Sequence, residues 1–307
     1  MVSTKPDDEL LAWAIAAVAP GGGLVEARGL RDGGSPWLLR VRSGESERSG
    51  VLRLGAAGGH DTHVEAAALD AALAGGIAVP RVLASRLEPD PPLLLIEAVD
   101  GSSAIPVDRP TIRLRALGAA AARIHRTPPP AGLPRRTRSI AGVDFDALRR
   151  AAPPQPLLQR AEAVAARGPS TPAPDGFVHG DLWQGNTLWR GDELVSIIDW
   201  DCAGHGPAGV DLGSLRCDAA VTFGVDAAAD VLDGWQEEAG RAAADVDYWD
   251  VVAALATPPD LGWFVDTIRS QRRPDLTREL LVERRDGFLR GALERLGEQP
   301  TLAPDAR

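Results

Sequence analysis

The pattern of hydrophobic and polar positions predicts a small α+β domain in the N-terminal part of the chain. Apolar residues recur at helical spacing over 7–18, and a proline followed by glycines ends this helix. A second helix, rich in alanine and leucine, is predicted over 62–73 and ends at a glycine pair. The remaining segments alternate with turn signals and are typical of strands. These predicted strands cover 24–28, 37–42, 51–54, 81–85 and 93–99.

Beyond Asp100-Gly101 the pattern becomes mainly helical. In order, it predicts a helix over 111–125, a Pro- and Arg-rich stretch over 127–176 with a helix near 157–167, a strand-and-loop region over 177–213, and helices over 215–296. The biased composition of 127–140 predicts a mobile loop. The change in pattern places a boundary between two domains in a short link at 97–103.

Composition excludes several classes of protein. The chain has 307 residues, of which 44 % are hydrophobic and 25 % charged, as expected for a globular protein with a sizeable core. Its net charge of −10 would repel phosphate backbones, so a nucleic-acid partner is not expected. No segment is typical of a membrane span, and the acidic start of the chain does not resemble a secretory signal. Its two cysteines are too few for a disulfide framework, and a cytoplasmic location is predicted.

The segment at 177–201, FVHGDLWQGNTLWRGDELVSIIDWD, contains the residues that carry chemistry. Asn186 follows Asp181 by five positions and precedes Asp199 by thirteen. Strand-like pieces at 187–189 and 194–198, joined by a Gly-Asp turn, predict a β-hairpin. Such a hairpin carries Asn186 and Asp199 to its same end.

These residue types suit phosphoryl transfer, which depends mainly on positioning and on charge neutralisation. Asp181 would lie near an attacking hydroxyl, while Asp199 and the amide oxygen of Asn186 would be oxygen ligands for Mg²⁺. The pattern H-x-D-x-x-x-x-N, followed by a strand and a further Asp, is that of a kinase catalytic loop. In the alternative interpretation, His179 and Asp181 only cap a turn that contains Asn186.

The segment differs from regulated protein kinases, because Gly180 replaces the Arg of H-R-D, DWD replaces D-F-G, and no A-P-E follows. The strings HGDLWQGNTLW, IIDWD and VDLGSLR instead resemble the aminoglycoside phosphotransferase and choline kinase group of small-molecule kinases. The first string is also similar to fructosamine kinases. This resemblance implies ATP, with GTP as an alternative, and Mg²⁺ as cofactors.

The resemblance further implies a protein-kinase-like, two-lobed α+β fold. The N-lobe at 1–97 would hold a five-stranded antiparallel sheet with a helix, followed by a hinge at 98–103. The larger, mainly helical C-lobe at 104–307 would hold the catalytic loop and the acceptor site.

Within the catalytic loop, the resemblance implies a role for each matched residue. Asp181 would be the catalytic aspartate, and His179 would brace the loop. Asn186 and Asp199 would be the metal ligands. Asp211 would hydrogen-bond the loop from the helix that follows.

In the N-lobe, the resemblance implies a basic residue on a strand that pairs with a Glu on the helix. Here these residues would be Arg53 and Glu65, with Arg40 and Arg42 as rivals for the basic position. The chain has a single lysine, at position 5, so an arginine must replace the lysine that is usual there. Glu65 also fits a capping box with Thr62, in which it would only stabilise the helix start.

The remaining nucleotide contacts that the resemblance implies come from a turn and from the hinge. The glycine-rich turn would be Gly33-Gly34-Ser35, which equally fits an ordinary hairpin turn. In the hinge, adenine would accept a hydrogen bond from the Val99 N–H and donate one to the Glu97 carbonyl.

By the same resemblance, the C-terminal helices would hold the acceptor. Several side chains could form an acidic and aromatic wall that suits amines or sugars. Alternatively, the tryptophans are core residues and the aspartates are solvated. The candidates are Asp247, Tyr248, Trp249, Asp250, Asp260 and Trp263.

The sequence therefore predicts an ATP- and Mg²⁺-dependent phosphotransferase that transfers a γ-phosphoryl group to a hydroxyl of a small molecule. An aminoglycoside-type antibiotic, an amino alcohol and a sugar derivative remain open as acceptors, and the acidic chain is compatible with a cationic one. A degenerate, nucleotide-binding pseudokinase is the alternative that the arginine-for-lysine exchange favours. An atypical protein kinase is disfavoured because A-P-E is absent.

Overall fold

The computed structural model describes residues 6–31, 34–55, 61–88 and 91–298, which form a two-lobed α+β fold. The helices of this described part are α1 (Asp8–Val18), α2 (Thr62–Ala74), α3 (Thr111–Arg126), α4 (Phe145–Ala151), α5 (Pro156–Ala165), α6 (Gly209–Phe223), α7 (Ala227–Ala239), α8 (Val246–Leu255), α9 (Gly262–Ser270) and α10 (Arg278–Arg295). The strands are β1 (Gly23–Arg31), β2 (Gly34–Ser43), β3 (Ser46–Leu54), β4 (Val82–Arg86), β5 (Leu93–Glu97), β6 (Gly176–Val178), β7 (Thr187–Arg190), β8 (Glu193–Ile197) and β9 (Gly204–Gly206).

One antiparallel sheet forms the N-lobe, with its five strands in the order β1-β2-β3-β5-β4. Alternate side chains of a strand point to opposite faces of a sheet, so β5 contributes to two layers of core. Leu95 packs with residues of α1, whereas Leu94 and Ile96 pack with residues of α2. The prediction of a five-stranded antiparallel sheet is confirmed, and both predicted helices of this region are present.

The larger lobe consists mainly of helices, and α3 and α7 pack unusually closely within it. A Cβ added at Gly118 of α3 would lie 2.0 Å from the Val231 carbonyl oxygen. A Cβ added at Gly234 of α7 would lie 2.0 Å from the Arg115 carbonyl oxygen. The two helices can approach only because both positions lack a side chain. Within the Pro- and Arg-rich stretch, α5 corresponds to the helix predicted near 157–167, whereas α4, at 145–151, was not predicted.

The segment at 127–140 is hydrogen-bonded to the C-lobe, which is not what a mobile loop predicts. The Arg136 N–H donates to the His205 carbonyl at 2.8 Å, and the His205 N–H donates to the Pro134 carbonyl at 3.0 Å. The Arg136 guanidinium also donates to the Cys202 carbonyl at 2.9 Å. Composition alone did not reveal these long-range partners, so the prediction of a mobile loop is wrong.

The chain passes from the N-lobe into the C-lobe after β5, beside the hairpin of β7 and β8. Ser102 and Trp189 exchange two backbone hydrogen bonds, at 2.9 and 3.0 Å. The link between the lobes is therefore attached directly to the predicted catalytic hairpin. The domain limits at 97 and 103 stay a prediction. No helix of the described ranges has both the length and the apolar character that crossing a membrane requires.

Candidate active site

Asp181 and Asn186 lie side by side in the loop between β6 and β7. The Asn186 amide donates to the Asp181 carbonyl oxygen at 2.9 Å and to its carboxylate Oδ2 at 3.0 Å. The short turn at 184–186 needs Gly185, because a Cβ there would lie 2.0 Å from the ring of Trp183. Since Nδ2 of Asn186 donates inward, Oδ1 remains as the acceptor atom of that amide.

His179 is completely buried behind this loop. Its Nε2 lies 3.0 Å from the Ile198 carbonyl oxygen, and its Nδ1 lies 3.2 Å from the Asp181 backbone nitrogen, whose N–H it accepts. These two contacts assign the ring as neutral with its proton on Nε2. Burial lowers the pKa of His179, which agrees with the neutral ring. His179 therefore fixes the backbone that carries Asp181.

Asp211, on α6, holds the same loop from the other side. Its carboxylate accepts the backbone N–H groups of His179 and Gly180, each at 2.8 Å. His125 Nε2 is 3.2 Å from the Asp211 carboxylate, and Trp235 donates to His125 Nδ1 at 3.0 Å. Although burial opposes ionisation, these partners lower the pKa of Asp211, which stays a charged acceptor.

Gly180 cannot be replaced by a residue with a side chain without moving this loop. Its φ is +80°, and a Cβ at this position would lie 2.1 Å from the Cys202 carbonyl oxygen. Residues other than glycine rarely adopt this φ, and the contact adds a steric clash. The geometry thus accounts for glycine at the position where regulated kinases have arginine.

Asp199 follows β8 and adopts a left-handed backbone conformation, with φ 69° and ψ 58°. Aspartate tolerates this region better than most residues. The Ile198 N–H donates to the Asn186 carbonyl at 2.9 Å, so the hairpin brings Asn186 and Asp199 to one end. Trp200, which is completely buried, donates to the Ile197 carbonyl at 3.0 Å and anchors this turn.

Arg53, on β3, is buried between two carboxylates. Its Nη1 lies 2.6 Å from Oδ1 of Asp199, and its Nε lies 3.4 Å from Oε1 of Glu65. Burial by itself lowers the pKa of this guanidinium, but the charges of Glu65 and Asp199 outweigh that effect and raise the pKa. Arg53 is therefore a fixed positive charge that joins β3 and α2 to the catalytic hairpin.

Arg31, at the end of β1, contacts the same carboxylate as Arg53. Its Nη2 lies 2.8 Å from Oδ2 of Asp199, while its side chain is 65 % exposed. The two oxygens of Asp199 thus face two different arginines. No sequence pattern singled out Arg31, because it is one of several arginines near a polar turn.

The rival arginines Arg40 and Arg42 pair with other carboxylates, and Glu65 does not cap its helix. Arg40 pairs with Glu26 at 2.9 Å on the solvent-exposed part of the sheet, and Arg42 pairs with Glu47. The first turn of α2 is capped by Asp61, whose carboxylate accepts the N–H groups of residues 63 and 64 at 3.1 and 3.0 Å. Glu65 is completely buried beside Arg53 and takes no part in a capping box.

The structure describes the predicted hinge completely but the predicted glycine-rich turn only in part. Gly33 lies outside the described residues, and Gly34 begins β2. The Ser35 hydroxyl accepts the Leu54 N–H at 3.1 Å, so it ties β2 to the end of β3. In the hinge, no protein acceptor among the described residues takes the Val99 N–H, while the Glu97 side chain pairs with Arg81 at 3.0 Å.

A cleft of about 1100 Å³ between the lobes contains these groups, and its charges are segregated. On the N-lobe side it is lined by Arg28, Arg31 and Arg53 together with the hinge. On the C-lobe side its charged lining residues, within the described part of the chain, are the carboxylates Asp181, Asp199, Asp201 and Asp218. A polyanion is therefore favoured at one end of the cleft and a cation at the other.

The predicted acceptor wall is largely wrong. Asp250 is completely buried in a bidentate pair with Arg216, at 2.8 Å for both contacts. Asp247 pairs with Arg295 at 2.6 Å, and Asp260 pairs with Arg278 at 2.7 Å. These aspartates bind arginines that are distant in sequence, and none of the three lines the cleft.

Of the aromatic residues in that prediction, Trp263 alone lines the cleft. Trp249 is buried against α6, where Cβ atoms at Gly209 and Gly213 would lie 2.1 Å from its ring and 2.5 Å from its carbonyl oxygen. Tyr248 packs edge-on against Trp249, with ring centroids 5.2 Å apart. Trp249 and Tyr248 are therefore packing residues of the C-lobe.

Asp218 is a cleft residue that sequence reasoning missed. It lies on α6, with Ser214, Cys217 and Val221 on the same cleft-lining face. The spacing of these positions is that of one face of a helix, seven residues after Asp211. That spacing was the available signal, but periodicity alone did not show which face of α6 borders the cleft.

The oxygen donors of Asn186 and Asp199 fit Mg²⁺. A magnesium ion bound with nucleotide phosphates needs only one or two protein carboxylates, since phosphates and water complete its six ligands. No cluster of three or more His, Cys, Asp or Glu side chains in the described residues could hold a metal by itself. Burial, together with the carboxylates of Asp199 and Asp201, raises the pKa of Asp181 well above its usual range. A nearby cation would oppose that rise.

Comparisons with known proteins agree with this geometry. A profile described as the phosphotransferase enzyme family matches residues 27–255. A macrolide 2'-phosphotransferase from Brachybacterium faecium, MphH, is 21 % identical, with a TM-score of 0.57 over 89 % of this chain and 97 % of its own. A choline/ethanolamine kinase family protein from Mesorhizobium loti is 20 % identical, with a TM-score of 0.56 over 94 % and 96 %.

A third solved structure is a thermostable mutant of aminoglycoside phosphotransferase APH(4)-Ia, in a ternary complex with AMP-PNP and hygromycin B. It is 12 % identical, with a TM-score of 0.58 over 89 % of this chain and 96 % of its own. At such identities these structures show a shared fold. No curated protein sequence matches the chain.

Proposed function

The chain belongs to the phosphotransferase enzyme family, and on that premise we propose that it transfers the γ-phosphoryl group of Mg²⁺-bound ATP to a hydroxyl of a small molecule. The motif resemblance predicted this membership, and the profile over 27–255 bears it out. The family fixes the class of enzyme, a small-molecule phosphotransferase with an alcohol group as acceptor. The nucleotide, the metal and the acceptor belong to the proposal.

The observation that carries the proposal is the meeting of three side chains at one end of a hairpin. Asp181 and Asn186 are hydrogen-bonded at 3.0 Å, and Asp199 lies at the base that the Ile198–Asn186 hydrogen bond closes. Phosphoryl transfer needs a group that orients the nucleophile beside groups that neutralise phosphate charge. The loop before β7 and the turn after β8 together supply both kinds of group at one end of the hairpin.

In the proposed reaction, the acceptor hydroxyl lies against the Asp181 carboxylate. Its oxygen forms a bond to the γ-phosphorus while the bond to the β–γ bridging oxygen breaks, which gives a phosphate ester and ADP. Asp181 orients the hydroxyl and accepts its proton. His179 and Asp211 act through the backbone of the loop and are positioning residues.

The charges of this chain's own residues complete the site. Asn186 Oδ1 and the Asp199 carboxylate would hold Mg²⁺, which neutralises charge on the phosphates when it is bound. Arg53 is already held at the border of the cleft and would contact the phosphates, with Arg31 as a second cation beside it. Adenine would bind the Val99 N–H and the Glu97 carbonyl, and the AMP-PNP complex of APH(4)-Ia supports an adenine nucleotide.

The proposal is tested by incubating the protein with Mg²⁺, ATP and pooled acceptors, and by following the mass increase of one phosphoryl group. The pools would contain aminoglycosides, macrolides, amino alcohols and sugars. Asp181→Asn is expected to abolish the product. Asp192→Asn is the matched control, because Asp192 lies in the turn of the same hairpin and makes an exposed pair with Arg113 at 3.1 Å. Nucleotide binding without any product across the pools would support the pseudokinase alternative.

A further inference from the structure

The C-lobe half of the cleft has a chemical character of its own. We define the acceptor pocket as the cleft lining contributed by the loop before β7, by α6, α8 and α9, and by residues 256–261 between the last two helices. Aromatic and aliphatic side chains form most of its wall, and Trp263 remains 45 % exposed at this wall. The apolar lining residues are Trp183, Val221, Ala253, Ala256, Leu261, Trp263, Phe264 and Ile268.

The aromatic part of this wall is pre-arranged. The rings of Trp263 and Phe264 pack edge to face with their centroids 4.3 Å apart. Trp183 is held over Gly185, where no side chain could fit. An exposed tryptophan ring is unfavourable in water, and an apolar ligand that covers it removes this surface from water. Because the neighbouring ring is already in place, the tryptophan needs little rearrangement to bind such a ligand.

Charge in the acceptor pocket is sparse and of one sign. No lysine, arginine or histidine is among its described lining residues. Asp181 is assigned to the acceptor hydroxyl, and Asp201 lies two positions after the candidate metal ligand Asp199. Asp218, on α6, is the remaining carboxylate of this lining.

Asp218 is held in place without a cationic partner among the described residues. Its Oδ2 accepts the Gln184 side-chain amide at 2.8 Å and the Gln184 backbone N–H at 3.2 Å. Thr222 lies 3.5 Å from Oδ1. These neutral donors orient the carboxylate but leave its charge uncompensated, since no salt bridge in the described residues includes it. A carboxylate so placed favours a ligand that brings a positive charge.

We propose that the acceptor is an amphiphilic amino alcohol whose single ammonium group pairs with Asp218, whose apolar body lies against Trp183, Trp263 and Phe264, and whose hydroxyl lies at Asp181. This inference rests on the proposed function, which supplies the role of Asp181. Cation–π contact with the tryptophans adds to the attraction for an alkylated ammonium group.

A polycationic aminosugar suits this pocket poorly. Each of its ammonium groups needs a carboxylate or water, because a buried unpaired charge is strongly disfavoured. Because Asp199 and Asp201 lie near Asp181 at the reacting end, Asp218 is the one carboxylate that remains for several charges. Its hydroxyl groups would also face aliphatic side chains that cannot replace water as hydrogen-bond partners.

The test measures binding by calorimetry in the absence of nucleotide. The probes are propranolol and erythromycin, which each combine one amine, hydroxyl groups and a large apolar body. N-acetylpropranolol is the uncharged match, and kanamycin is the polycation. The wild type should bind propranolol or erythromycin more tightly than N-acetylpropranolol and kanamycin. Absence of binding for both amphiphilic amines at millimolar concentration would overturn the inference.

Substitutions distinguish the contribution of the Asp218 charge to binding from that of the apolar wall. Asp218→Asn should weaken binding of the amphiphilic amines about tenfold to a hundredfold, the loss typical of a charged hydrogen-bonded contact, and should leave N-acetylpropranolol unchanged. Asp218→Glu should restore part of the loss. Trp263→Ala, at an exposed position where folding is not at risk, should weaken the charged and the acetylated probe alike. Asp266→Asn, on the exposed side of α9, should change nothing.

The outcomes for binding and for transfer are distinguishable. Amine binding that depends on Asp218, together with failure to form any phosphate ester, would leave the pocket chemistry intact and contradict the proposed function. Transfer to kanamycin with a kcat/KM that Asp218→Asn does not change would leave the proposed function intact and overturn the acceptor class.

Discussion

Arg53 and Asp199 contact each other across the cleft, with Nη1 2.6 Å from Oδ1. The contact joins the sheet of the N-lobe to the catalytic hairpin of the C-lobe. Because Glu65 lies on the other side of the same guanidinium, at 3.4 Å, one charge holds three elements together. Arg53, which we propose in the place of the usual lysine, is therefore held by carboxylates of both lobes.

Loss of Arg53 should impair both activity and stability. Arg53→Ala leaves the completely buried Glu65 without its guanidinium, which should lower the free energy of unfolding by about 3 kcal/mol. It should also lower kcat/KM for ATP by at least about a hundredfold, since a phosphate-binding charge is lost. Steady-state kinetics and urea unfolding check the two effects. Arg40→Ala, at an exposed pair on β2, should be close to wild type; equal effects of the two variants would contradict the assignment.

Gly180 should tolerate no side chain. Gly180→Ala forces a Cβ to within 2.1 Å of the Cys202 carbonyl oxygen, in addition to an unfavourable φ of +80°. We expect a loss of about 3 kcal/mol in stability, and a lower kcat because the backbone of Asp181 must move. Gly132→Ala separates the two causes, because Gly132 has a φ of +86° but open space around it. That control should cost about 1 kcal/mol and leave kcat unchanged, so similar kcat values for the two variants would count against the steric account.

The ionised carboxylate of Asp218 should lower the free energy of unfolding at neutral pH. Burial raises the pKa of this carboxyl to about 6, against the hydrogen bonds from Gln184 and Thr222, which lower it. The folded state therefore holds a proton that the unfolded chain releases near pH 4. The stabilisation is present below that pH and is lost as the pH rises through about 6.

Asp218→Asn, which stays neutral, should gain stability relative to the wild type as the pH rises from 4 to 7. The expected difference is about 2–3 kcal/mol at pH 7, measured by urea unfolding at several pH values. A difference that is independent of pH would contradict the burial of this charge. A buried carboxylate that lowers the free energy of unfolding is typical of a residue that serves binding and not stability.

Substitution of Asp250 should lower the stability of the protein without changing acceptor binding. Asp250→Asn breaks a completely buried pair with Arg216 and should lower the free energy of unfolding by about 3–4 kcal/mol. At a temperature where the variant remains folded, KM for the acceptor should match that of the wild type. A specific rise in acceptor KM would restore Asp250 to the acceptor site.

The fold and the positions of the candidate catalytic residues were accessible from sequence because their signals are local. The strands of the sheet follow alternation and turn residues. Asn186 and Asp199 flank one hairpin whose strands pair as the pattern predicts, and Asp181 lies five residues before Asn186 in the loop that leads into it. The acceptor side was not accessible in this way. Asp247 and Asp250 pair with arginines that are distant in sequence, whereas Asp218 lines the cleft. Only the three-dimensional structure shows this difference.

Phosphorus NMR of the wild type with ATP, Mg²⁺ and the acceptor that binds most tightly shows whether the γ-phosphoryl group is transferred to that acceptor. We expect the γ-phosphate resonance to decline while a phosphate-ester resonance and that of ADP grow in equal amounts, and we expect Asp181→Asn to abolish all three changes. Growth of inorganic phosphate in place of the ester, or ester formation at the wild-type rate in Asp181→Asn, would contradict the proposed function.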